Sequence, residues 1–266
     1  MNTEQADLPA VSRFWQDGFH RFLPRMLRNS FHTMAITRDS RSALDLPPSQ
    51  PLIVYANHVG WWDPLVAHYM CRRVLQGRQF YAPIDADALE QYRVFRKLGF
   101  YGVRADTQAG IRSFLKTSRT ILETPGTSLW ITPTGRFSDV RDRSVPFAPG
   151  LAHLCAHLVR GTVVPMAIEY SFWEERLPEC LMRFGEPLEI QVGQEKSSGQ
   201  WNEQLMHQLH TTQQHLAERV IARDPAAFEV CLQGGAGAGG VYDFFRRVRS
   251  WCGGRRFVRQ HGEKFS

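Results

Sequence analysis

The chain has 266 residues, 43% hydrophobic and 22% charged, a balance that excludes a disordered or fibrous polypeptide and suits one sizeable globular core. Its formal net charge of +6 favours an anionic partner, and ligand phosphates, an anionic membrane surface and nucleic acid all fit that sign. Cys71, Cys155, Cys180, Cys231 and Cys252 form no CxxC pair and read as reduced thiols of a cytoplasmic chain; no run of about 18 apolar residues argues for a membrane span.

The N-terminus carries Glu4 and Asp7 with no apolar run, so it does not read as a secretory signal. From Val11 to about Ile36, Phe14, Trp15, Phe19, Phe22, Leu23, Met26, Leu27, Phe31 and Met34 recur at helical spacing, interspersed with arginines, and Pro24 is expected to kink or divide the segment. Such a stripe suits either a membrane interface or the protein's own core. Ser40 to Ser49 reads as a linker, Pro51 to Ala56 as a buried strand, and Asp63-Pro64 as the cap and first turn of a helix to about Leu75.

Further strands are expected at Gln79–Ala82, Gly99–Arg104, Thr127–Ile131 and Thr162–Ile168, with helices over Ala86–Arg96, Thr107–Glu123, Leu151–Val159 and Asn202–Arg223. Cys180–Phe184 and Leu188–Val192 read as an edge hairpin around Gly185-Glu186-Pro187. The alternation of strand and helix predicts an α/β fold with a mostly parallel central sheet flanked by helices, preceded by an N-terminal amphipathic helical segment. Three regions follow: 1–45 helical and interfacial, 46–230 the α/β domain, and 231–266 a Gly-rich tether with a cationic aromatic tail.

The chemistry points to the loop between the Pro51–Ala56 strand and the next helix. His58 and Asp63 stand five positions apart across it, close enough for the carboxylate to accept the proton of one ring nitrogen and leave the other as an acceptor. That is the base half of a triad without a serine, so the nucleophile is expected to be a substrate hydroxyl. The bland reading is a solvated histidine beside a routine helix cap. His153 and His157, four apart on a helix, could bind metal, but no glutamate follows His153 in the HExxH manner, and surface or core histidines are the simpler reading.

Asn57-His58-(four residues)-Asp63 resembles the first motif of the glycerolipid acyltransferase family, which includes the 1-acyl-glycerol-3-phosphate acyltransferases. Gly102-Val103-Arg104 resembles the second motif, Pro133-Thr134-Gly135-Arg136 the third and Val163-Val164-Pro165 the fourth, in the family's order. The resemblance implies His58 as general base and Asp63 as its orienting acid. It also implies Arg104, Gly135 and Arg136 at the acceptor's phosphate and Pro165 as a wall of the acyl site; apart from the resemblance, Trp61 can wall the same site, touch lipid or pack in the core. The third motif departs from the family's Pro-Glu-Gly-Thr-Arg, having Thr134 for the acid and Arg136 one position early, which leaves the acceptor open between a phosphate and a less charged lipid alcohol.

The function expected is transfer of a fatty acyl group from acyl-CoA or acyl carrier protein to a hydroxyl of a lysophospholipid, glycerol phosphate or related lipid alcohol. No cofactor, metal or nucleic acid is expected, and the protein would work peripherally on the inner face of the membrane. Backbone N–H groups of the Asn57–Gly60 loop are candidates for the oxyanion. The alternatives are a non-catalytic membrane-surface lipid-binding protein and a metal-dependent hydrolase using His58 and Asp63.

Overall fold

A computed structural model describes residues 8–193 and 196–236. In chain order it contains α1 (Arg13–Ser30), β1 (Thr33–Thr37), β2 (Leu52–Ala56), α2 (Asp63–Val74), β3 (Gln79–Asp85), α3 (Ala86–Gln91), β4 (Phe100–Val103), α4 (Gln108–Glu123) and β5 (Thr127–Ile131). It continues with α5 (Gly150–His157), β6 (Gly161–Ser171), β7 (Glu179–Phe184), β8 (Leu188–Ile190), α6 (Ser198–Ala222) and β9 (Phe228–Gln233). Short 3-10 segments at Arg38–Leu44 and Arg93–Leu98 complete the connections.

All strands join one sheet in the order β4-β3-β5-β2-β6-β7-β1-β9, with β8 paired to β6. β4, β3, β5, β2 and β6 run parallel, so the segments that follow them leave from one edge. β2 lies at the centre, with Tyr55 registered against Ile131 of β5 on one side and Pro165 of β6 on the other. The mostly parallel sheet flanked by helices is the expected architecture.

Alternation along the strands sorts the core into two layers. Leu52, Val54 and Ala56 of β2, with Val164, Met166 and Ile168 of β6, pack under α1 and α2. Ile53, Tyr55, Leu129, Ile131 and Val163 face α4, α5 and α6. Each fully buried aliphatic side chain in these layers contributes about 2 kcal/mol to stability.

Several local expectations change. The helical stripe ends at Ser30; Pro24 lies inside one continuous helix, and Met34 belongs to β1, an extended segment held between β7 and β9. Leu23 and Leu27 of α1 are buried while Phe14, Trp15 and Phe22 are exposed, so the stripe serves the core on one side only. The expected linker holds a 3-10 helix in which Ser40 and Leu44 are buried. β7 and β8 form no hairpin: both pair antiparallel with β6, one after the other along the same side. Gly185 N–H donates to Pro165 O between them, and Pro187 lacks the N–H that would continue the ladder.

β9 carries no expectation, yet it closes the sheet against β1. The Gly-rich run begins as structure too, since the Gly234 and Gly235 N–H groups donate to His32 O and Arg28 O. A Cβ at Gly234 would stand 1.8 Å from Phe31 O, so only glycine passes this corner. The cationic aromatic tail, Val241 to Arg256, lies outside the described residues, as does Cys252; the other four cysteines are free and buried.

Candidate active site

The β2–α2 loop holds its shape through side chains that bond back to the backbone. Asn57 is buried and pairs with the next strand, its Nδ2 donating to Ile168 O at 2.9 Å and its Oδ1 accepting from Ile168 N–H at 2.8 Å. That fastening replaces the ladder contacts β2 loses at its end and sets the direction in which His58 leaves the sheet.

Asp63 is only 1% exposed. Its Oδ2 accepts from His58 Nδ1 at 2.7 Å, from Val59 N–H at 2.7 Å and from Gly60 N–H at 2.9 Å; its Oδ1 accepts from the Tyr170 hydroxyl at 2.6 Å. This corrects the cap reading, because the carboxylate bonds the loop behind it and none of the helix N–H groups ahead of it. It also corrects the oxyanion expectation for Val59 and Gly60, whose N–H groups are spent on Asp63.

Three donors besides the imidazole converge on this carboxyl, which identifies it as the ionised acceptor form. The proton shared with His58 therefore sits on Nδ1, and Nε2 is left as an acceptor. The His58 side chain is 15% exposed, so the imidazole is not sealed from solvent as Asp63 is. The Phe137 ring stands edge-on to the imidazole at 4.5 Å, and Ser138 N–H donates to His58 O at 2.8 Å. The third-motif loop thus forms one wall of the pair. Such an arrangement can take a proton from a hydroxyl.

The other expected site residues distribute unevenly. Gly135 adopts φ +63, a left-handed turn position that favours glycine, and its N–H donates to Thr132 O. Arg136 is exposed next to Phe137. Arg104 leaves the same edge at the end of β4, three strand spacings from β2, about 14 Å sideways. It is exposed and donates weakly to Asp87 at 3.4 Å. Trp61 is exposed at the loop tip and packs edge-on against Trp62, which in turn meets Phe31. Pro165 is buried in β6 on the α6 side, its ring beside Gly185 and near Thr212, on the face opposite α2. His153 and His157 are exposed on α5, with His157 Nδ1 donating to His153 O at 2.8 Å.

Sequence reasoning missed Tyr170. It stands at the end of β6, 107 positions from Asp63, and its ring stacks on Phe31 at 5.5 Å. Burial, with Cys180 and Asp63 nearby, holds its hydroxyl far above the usual phenol range, so it remains a donor. No local pattern marks it.

Among protein families, the model described as Acyltransferase matches residues 38–169, a span that contains all four motif-like stretches. No curated protein matches the chain. With the sheet, the loop and the match in agreement, residues 38–169 are an acyltransferase domain of the glycerolipid acyltransferase family.

Proposed function

We propose that this acyltransferase moves a fatty acyl group from an acyl thioester, acyl-CoA or acyl carrier protein, to a hydroxyl of a lysophospholipid, glycerol phosphate or related lipid alcohol. The observation that carries the reading is the 2.7 Å bond from His58 Nδ1 to a buried, fully engaged Asp63, which presents Nε2 at the carboxyl edge of a parallel sheet. His58 Nε2 accepts the hydroxyl proton as the oxygen attacks the thioester carbonyl. The new C–O bond forms, the C–S bond breaks, and the imidazolium returns the proton to the departing thiolate. Asp63 stabilises the imidazolium between these events.

Arg136, and more distantly Arg104, supply positive charge along this edge for an acceptor phosphate. Phe14, Trp15 and Phe22 on α1, with Trp61 and Phe137 flanking His58, expose aromatic surface that suits peripheral docking on the inner face of a membrane. Among the described residues no helix is long and apolar enough to cross one.

The test is mass spectrometry of lipids formed by the purified protein from acyl-CoA and a panel of lipid alcohols, wild type beside His58→Ala. We expect a new ester in the wild type, unaffected by EDTA, and a loss of about a thousand-fold or more in the variant with the fold intact by circular dichroism. Full activity in His58→Ala removes it as the base; loss with EDTA favours metal-dependent hydrolysis. Vesicle binding without consumption of any thioester favours a binding protein.

A further inference from the structure

We infer that Tyr170 is a positioning residue of the reaction, acting through Asp63 on the proton affinity and orientation of His58. The inference rests on the acyltransferase reading for its kinetic consequence but on geometry for its physical one. Asp63 offers two oxygens with different duties. Oδ2 serves the imidazole and two loop N–H groups, whereas Oδ1 is held by the Tyr170 hydroxyl at 2.6 Å.

At 1% exposure Asp63 depends on these donors to keep its charge away from bulk water. A donor on Oδ1 draws electron density from the carboxylate and weakens its pull on the imidazole proton. It also prevents the carboxyl group from rotating, which keeps Oδ2 in line with Nδ1. The Cys180 thiol on β7, also near Asp63, is pushed far up by burial and stays neutral alongside the neutral phenol.

The hydroxyl is itself fixed. Tyr170 is the tenth residue of β6, paired to Cys180 of β7, and its ring stacks on Phe31, which also meets Trp62 immediately before Asp63. Phe31 sits at the corner between α1 and β1, so the N-terminal part of the chain reaches the dyad through one stacked pair. The family match ends at residue 169, one position short of this tyrosine.

Tyr170→Phe keeps the stack and removes the bond to Oδ1. The carboxylate then holds the imidazolium more tightly, and His58, which must be neutral to accept a proton, becomes available only at higher pH. We expect the acid limb of kcat/KM to move to higher pH and kcat to fall about ten-fold, with the acceptor KM little changed, as the loss of one charge-assisted hydrogen bond implies.

The direct readout is the proton NMR titration of the His58 ring in wild type and Tyr170→Phe, with Phe31→Leu as the control that disturbs the stack but leaves the hydroxyl. An upward displacement of the His58 midpoint in Tyr170→Phe, absent in Phe31→Leu, supports the inference even if the wild type transfers no acyl group; in that case only the proposed function fails. An unchanged midpoint, or the same displacement in both variants, overturns it. An equal loss of thermal stability in both variants with unaltered pH profiles also overturns it, because Tyr170 would then be packing alone.

Discussion

Helix α2 buries two polar side chains five residues apart, Asp63 and His68, each about 1% exposed, and treats them in opposite ways. Asp63 has four hydrogen-bond donors on its two oxygens. Both ring nitrogens of His68 are buried and make no hydrogen bond of ordinary geometry, with only backbone groups of Leu98 and of His68 itself interacting with them, and its ring lies among Phe19, Phe80, Phe100 and His20 with centroids 4.8 to 6.2 Å away. The first is a charge the fold is built to keep; the second is an imidazole used as an aromatic. Equal burial says nothing about duty, whereas the accounting of donors and acceptors does.

The contrast breaks most visibly at Asp63→Ala. That change strands the Val59 and Gly60 N–H groups, the Tyr170 hydroxyl and His58 Nδ1 at once, and we expect about 3 kcal/mol of destabilisation in urea unfolding, together with acyl transfer reduced about a thousand-fold. A variant that loses activity without losing stability would mean that the donors re-pair elsewhere.

His68 tests the other half. Burial lowers its pKa from 6.5 to about 3, with His20 and Arg72 adding to the effect. The folded protein thus keeps His68 neutral where the unfolded chain protonates it, so stability is full above pH 6.5 and falls as the pH drops below that. At pH 5 the deficit from this one group is about 2 kcal/mol. His20, lowered to about 4 chiefly by burial, adds a slope of the same sign. His68→Phe, placed in an aromatic surround, is expected to hold or raise stability by about 1 kcal/mol at pH 7.5 and to flatten the decline between pH 6.5 and 5. Urea midpoints across that range measure both. An unchanged slope would mean that His68 finds a partner in solution.

The smallest effect belongs to cations that the fold neither buries nor needs. Arg104→Ala and Arg136→Ala are expected to leave stability within about 0.5 kcal/mol. Each should raise KM for a phosphate-bearing acceptor several-fold with kcat unchanged, and leave a neutral lipid alcohol unaffected. If neither KM moves, the acceptor's charge is read elsewhere.

What was legible in the sequence follows from distance along the chain. His58 and Asp63 lie in one loop, so strand, turn and helix signals placed them together, and Thr107, whose hydroxyl accepts from Gly110 N–H, opens α4 by local chemistry alone. Tyr170 comes to that carboxylate, and Phe31 to Tyr170, only through the pairing of β6 with β7 and of β7 with β1, which no window of residues reveals. Met34 happens to continue the helical phase of α1, yet its backbone is recruited as a strand because β7 and β9 offer ladders on both sides. The β7–β8 pair alternates as a hairpin would, and only the choice of β6 as common partner distinguishes the two arrangements. Pro165 fitted a motif, but which face of β6 it presents depends on the register with β2.

The placement of β1 has a consequence for biosynthesis. A ribosome releases Thr33–Thr37 early, but the two partners of that segment, Glu179–Phe184 and Phe228–Gln233, emerge only after most of the polypeptide has been made. Until then five residues with open backbone groups wait without neighbours, and the corner bearing Phe31 cannot close on Tyr170. Closure of this corner is therefore a late event of high contact order, and a nascent chain halted before residue 179 would carry β1 unpaired, inviting association with other copies.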